Sequence, residues 1–170
     1  MNATARPQAY VRQLLSAAAL VLLTVVGSDV RAEISETVIL CVNGADFTRE
    51  FTRADLEEIG VVSFQTTTIW TEGVQEFTGT PLVEFVEAIG LHDGAFQAIA
   101  ANDYAVEVPV SDAVEGGPII AFLRNGEPMS LRDNGPLWLV YPYDGNPEYQ
   151  SEIIYSRSIW QLERIEVVAP

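Results

Sequence analysis

The clearest helix signal in this chain is fenced on both sides. In "EFTGTPLVEFVEAIGLHDG" Thr80 offers an N-cap and Pro81 the first helical position, where its missing N–H costs nothing. Leu82, Phe85, Val86 and Ile89 recur at helical spacing, and Gly90 stops the run. A second fenced helix is expected in "DFTREFTRADLEEIG". There Thr52 caps, Asp55 three residues on completes an approximate capping box, and Gly60 ends the element. With helices this short, most of the core has to come from strands.

The strand signals fill the rest of the chain. "TVILCVNG" ends at the turn dipeptide Asn43-Gly44, and "VVSFQTTTIWTEG" is β-branched and aromatic. "FQAIAANDYAVEVPV" alternates, with Ala105, Glu107 and Pro109 on one face and Tyr104, Val106 and Val108 on the other. "SDAVEGG" reads as a short turn or helical piece. "PIIAFLRNGEPMS" is a hairpin turning at Asn125-Gly126, "PLWLVYP" is a strand leading into a Pro/Gly-rich loop, and "IWQLERIEVVA" is the last strand. The expectation is an α+β domain with a mixed, largely antiparallel sheet and a few short helices.

The first 32 residues read as a secretion signal. Arg6 and Arg12 precede an apolar run, Leu14 to Gly27, that at 14 residues falls short of the roughly 20 needed to span a bilayer. "VRA" (Val30, Arg31, Ala32) follows as a cleavage site, which leaves residues 33–170 as one domain. An uncleaved anchor is the alternative. The expected location is periplasmic or secreted, with no stable membrane insertion after cleavage.

Charge excludes one class of partner. The chain has 9 basic residues, all arginine, against 24 acidic ones. Loss of the signal removes three arginines and Asp29, so 6 basic and 23 acidic residues remain, for a net charge near −17. Such a surface repels phosphate backbones and anionic lipid heads, so nucleic acid is not an expected partner. Cys41 is the sole cysteine and forms no internal disulfide; its apolar strand context reads as a buried thiol.

The familiar catalytic sets are missing. The single histidine, His92, sits in a turn after a helix, so a serine triad has no evident base. No paired Cys/His spacing suggests zinc, and Gly116-Gly117 is a lone pair rather than a phosphate loop. Asp103 stands out among the acids because it precedes a strand and neighbours Tyr104, although an Asx-turn explains it as well. The aromatic residues Trp70, Trp138, Tyr141, Tyr143, Tyr149 and Tyr155 group near the loop ends, as core packing or as a pocket. Arg124 and Arg132 flank the hairpin as candidate anion contacts, or as partners of surface acids.

The order "TIWTEGVQEFTGTPLVEFVEAIGL", "ANDYAVEVPV", "IIAFLRNGEPMSLRDNGPLWLVYPYDG", "SIWQLERIEV" resembles the molybdopterin-binding domain of the sulfite oxidase family, over about Phe47 to Val168. The resemblance implies a mixed α+β fold, a molybdenum-pterin cofactor and oxygen-atom transfer. It also implies a metal-ligating cysteine within a motif like Cys-x-x-x-Trp. Counting back from Trp70 puts Thr66 there, and "TTTIW" holds no cysteine. The family's His-Gly-x-Pro-x-Arg corresponds to Asn134-Gly135-Pro136-Leu137-Trp138, without the histidine or the arginine. The basic residue expected before the last tryptophan is replaced by Ser158 and Ile159. A hydroxyl is a poor substitute for a soft thiolate, and a pterin phosphate calls for guanidinium or N–H donors.

The expectation is therefore an exported relative without oxidoreductase activity and without a bound cofactor, although the resemblance keeps molybdopterin possible. Its cleft, lined by Thr66, Trp70, Asp103, Tyr104, Arg132, Tyr141 and Tyr143, would take a small molecule or a periplasmic or membrane protein partner. The alternatives are an active molybdopterin oxidoreductase, with an oxygen ligand such as Thr66 on the metal, and a structural export domain with no ligand.

Overall fold

The computed structural model describes residues 37–167. The expected signal segment lies outside the described residues. Ten strands form two five-stranded sheets. The first has the order β2-β1-β10-β5-β6, from β1 (Val38–Asn43), β2 (Thr48–Thr52), β5 (Ala95–Ala100), β6 (Ala105–Pro109) and β10 (Leu162–Val167). The second runs β3-β4-β7-β8 with β9 also on β7, from β3 (Val62–Thr67), β4 (Val74–Pro81), β7 (Ile119–Arg124), β8 (Glu127–Pro128) and β9 (Trp138–Val140). β1 and β10 pair in parallel, and the other pairings are antiparallel. The expectation of an α+β domain with mixed, largely antiparallel pairing holds, distributed over two sheets.

Among the described residues three short α-helices complete the fold: α1 (Arg53–Ile59), α2 (Leu82–Ala88) and α3 (Glu152–Arg157). The capping box of α1 forms as read. Thr52 Oγ1 accepts from Asp55 N at 3.2 Å, and Thr52 N donates to the Asp55 carboxylate at 2.7 Å. The Thr52 hydroxyl also donates to that carboxylate at 2.7 Å, and this bond first, then the one from Thr52 N, holds the Asp55 carboxyl below its usual range. The start of α2 differs from the expectation. β4 runs through Thr80 to Pro81, which is itself the N-cap, and buried Thr80 instead donates to Leu56 O at 2.7 Å, tying α1 to the sheet. Gly90, at φ +79°, closes this region in the left-handed conformation that a side chain resists.

The core lies between the layers. β7 (IIAFLR) is buried at its first four positions and pairs on both edges, as expected of a continuous apolar run in a central strand. Phe77, Phe85, Phe96, Leu40 and Leu82 join its apolar residues in one buried cluster, each fully buried side chain contributing about 1.5–3 kcal/mol. The hairpin turns where the sequence placed it, with Asn125 (φ 53°) and Gly126 (φ 80°) between β7 and β8.

A short suture positions the candidate site. After α3 the chain runs beside β9, where Leu139 N donates to Ile159 O at 2.9 Å and Leu162 N to Leu137 O at 3.0 Å, with a bridge between Trp138 and Trp160. The same segment then enters the first sheet as β10. Residues 158–162 thus hold the two sheets at a fixed distance, and the aromatic residues collect there.

Candidate functional site

Three segments bring aromatic side chains to the suture. The turn after β3 carries Trp70, fixed by Thr68 Oγ1 accepting from Trp70 N at 3.1 Å and by the Thr68–Thr71 hydroxyl pair at 2.8 Å. The turn between β5 and β6 carries Tyr104. Its N–H donates to Asn102 Oδ1 at 3.1 Å, and Asp103 takes a positive φ of 63°. The Asx-turn considered for Asp103 therefore belongs to Asn102. α3, capped by Ser151 Oγ accepting from Ile154 N at 3.4 Å, carries Tyr155, and Trp160 follows it.

Trp70 is the centre of the cluster. Its ring centroid lies 5.4 Å from Trp160, 5.8 Å from Trp138, 5.8 Å from Tyr155 and 6.3 Å from Tyr143, all edge-to-face, the arrangement that the ring quadrupole favours. A cavity of about 430 Å³ opens beside it, walled by Trp70, Tyr104, Tyr155 and Trp160, with Asn102 and Ser156 as polar points and buried Ser158 at its edge. No lining residue is charged. The volume falls in the range of small-molecule sites.

Below the cavity the polar atoms are sealed. Ser158 is buried, and its hydroxyl accepts from Tyr143 OH at 2.6 Å and donates to Ile154 O at 2.8 Å. Its carbonyl accepts from Trp138 Nε1 at 3.2 Å. Burial pushes the Tyr143 phenol up to about 12, against the opposing effect of the Ser158 hydrogen bond. Tyr141 donates to Asp112 at 2.8 Å, and burial first, then the Asp112 charge, raises its phenol far above the ordinary value. Neither phenol can serve as a base near neutral pH.

The expected cleft residues thus separate. Trp70 and Tyr104 line the cavity. Tyr143 lies beneath it and faces an adjoining hollow of about 210 Å³ shared with Thr67, Asp144 and Tyr155. Tyr141 is sealed in the core with Asp112. Asp103 sits on the turn beside the cavity, 3.7 Å from Arg164. Arg132 is exposed on the 3-10 turn Leu131–Asp133 and lines neither space, while Arg124 pairs loosely with Asp133 at 3.8 Å. Trp160, Asn102 and Ser158 were missed as lining residues. The one local signal is "SRSIW", a small polar residue just ahead of the apolar pair Ile159-Trp160.

Thr66 is fully buried and committed in both directions. Its hydroxyl accepts from Asp144 N at 3.1 Å and donates to Thr67 O at 3.2 Å. Asp144 is clamped in turn by Thr67, whose hydroxyl and N–H donate to its carboxylate at 2.7 and 2.6 Å. These bonds, the hydroxyl's foremost, hold the Asp144 carboxyl below the usual range, so it stays anionic. Cys41 is half-buried on β1 of the other sheet and lines neither space.

A molybdenum pterin does not fit these residues. At Thr66 it would meet a hydroxyl already engaged and an anionic carboxylate alongside, and no guanidinium lines either space. Among the described residues no three Cys, His, Asp or Glu side chains group as a metal site.

Two sheets sutured by residues 158–162, with three short α-helices among the described residues, define a single α+β domain. The chain is similar in structure to the sulfane dehydrogenase SoxCD from Paracoccus pantotrophus, with a TM-score of 0.56 and 19% identity over 75% of this chain and 37% of that one. The chain therefore spans just over a third of the length of that protein. At this identity the likeness establishes the fold. No family model and no curated protein matches the sequence.

Proposed function

We propose that this chain is an exported, non-catalytic member of the sulfite-oxidase-type fold that binds a small ligand in the aromatic cavity, as a periplasmic sensor or accessory of a membrane partner. The observation that carries this reading is the state of Thr66. At the position where the resemblance calls for a metal-bound thiolate stands a buried hydroxyl whose hydrogen bonds are both spent on Thr67 and Asp144. Such a residue holds a loop in place, and its hard oxygen is a poor replacement for a soft thiolate.

The cavity beside it supports binding over chemistry. Its walls are aromatic, its polar lining is uncharged, and the Tyr141 and Tyr143 phenols beyond it are held protonated by burial. Export rests on the N-terminal sequence pattern. Among the described residues no helix is long and apolar enough to cross a membrane.

The test is molybdenum and pterin analysis of the protein purified from a molybdate-supplied host that makes the cofactor. A folded, colourless protein with far less than one equivalent of molybdenum supports the reading. Stoichiometric metal and pterin would replace it with an active oxidoreductase that uses an oxygen ligand.

A further inference from the structure

We infer that the aromatic cavity is a cage for a weakly hydrated organic cation, a quaternary ammonium compound of choline size. The inference rests on the binding reading above and names the ligand class for the same site. Four aromatic side chains, Trp70, Tyr104, Tyr155 and Trp160, meet around one space, and two of them are tryptophan, the strongest ring partner for a cation. Edge-to-face contacts of Trp70 with Tyr155 (86°) and Trp160 (72°) set these rings at steep angles to one another. A compact cation therefore meets walls in several orientations, whereas a flat ligand would need one stacking platform.

Charge selects the same ligand. The chain carries a formal net charge of −15, so its field draws cations toward any uncharged hollow. The arginines nearest the lining in sequence are engaged by acids. Arg157 is bound to Asp112 at 2.9 Å, and Arg164 lies 3.2 Å from Glu166 and 3.7 Å from Asp103. Neither lines the cavity, and no carboxylate does so either. A strongly hydrated ion such as sodium would find too few oxygens there to replace its water, whereas a methylated ammonium needs few. Asn102 and the exposed Ser156, which also lines the cavity, supply hydrogen-bonding groups for a polar tail such as a hydroxyl.

The test titrates the purified protein with choline chloride at constant ionic strength and follows tryptophan fluorescence. The control ligand is choline's carbon isostere, in which carbon replaces the quaternary nitrogen. Saturable binding of choline is expected, with the neutral isostere weaker by about tenfold or more. Tyr104→Leu, at an exposed wall position, should weaken choline at least about threefold, while Tyr104→Phe should keep it. Equal binding of the two ligands overturns the inference. So does indifference to Tyr104→Leu, or a response that fails to saturate by about 50 mM, where binding would be too weak to count as a site. If molybdenum and pterin co-purify, the parent reading falls and this inference with it. If the protein is metal-free yet binds the isostere as well as choline, only the ligand class falls.

Discussion

Trp138 and Trp160 lie 6.1 Å apart, ring centre to ring centre, and serve opposite purposes. Trp138 is 0% exposed, and its Nε1–H is spent on Ser158 O. Trp160 is half-buried and forms a wall of the cavity. The same contrast separates Tyr143, sealed against Ser158, from Tyr104, which is 50% exposed on the rim. On the sealed side the polar groups are matched within the chain; among the described residues no buried side-chain nitrogen or oxygen lacks a partner. On the open side aromatic side chains border a space that the protein leaves unfilled. Residue type alone does not separate structural from binding aromatics. What separates them is whether the ring and its polar atom are already matched from within.

The strongest challenge to this division is Trp138→Ala. Removing a fully buried indole should cost about 3–5 kcal/mol, read as a lower midpoint in urea denaturation. A loss below about 1 kcal/mol would mean that the sealed side is not the core it is taken to be. Ser158→Ala comes next. It leaves the Tyr143 hydroxyl without its acceptor in a buried setting, for an expected loss of about 1–3 kcal/mol in the same assay. A neutral result would show that water reaches Tyr143 and that the seal above it leaks.

The Asp144 clamp gives a smaller effect with a defined sign. Its folded-state pKa lies below the unfolded value, so its contribution is complete above the ordinary carboxylate range and is lost as pH falls through the lower folded value. The melting temperature of the native protein should therefore drop on acidification more than that of Asp144→Asn, which has no such proton to gain. Parallel curves would contradict the clamp. The smallest effect is expected at the open wall, where Tyr104→Leu should change stability by no more than about 0.5 kcal/mol. A larger loss would make Tyr104 a packing residue and blur the contrast with Tyr143.

Local signals were the legible part of the fold. The Thr52/Asp55 capping box and the Asn125-Gly126 turn are complete within a few residues, so the sequence states them outright. The aromatic grouping was legible too, because Trp70, Trp138, Tyr143 and Tyr155 are clustered near predicted loop ends. β2 was not, since only Phe51 of its five residues is buried and no alternation marks it. α3 also escaped, because six residues that bury only Ile154 carry no helical period. Thr80 reads locally as a cap because the continuation of β4 through Pro81 depends on β7, which lies far along the chain. The fate of Arg132 and the role of Ser158 depend in the same way on which distant strands the suture joins. Long-range pairing decides both, and no local window contains it.

The three tryptophans give the most direct test, because each indole N–H yields one signal in a nitrogen-edited NMR spectrum. Titration with choline should shift the signals of Trp70 and Trp160 saturably, and that of Trp138 least. If Trp138 moves most, or if no indole signal responds, the division between a sealed core and an open aromatic site is wrong.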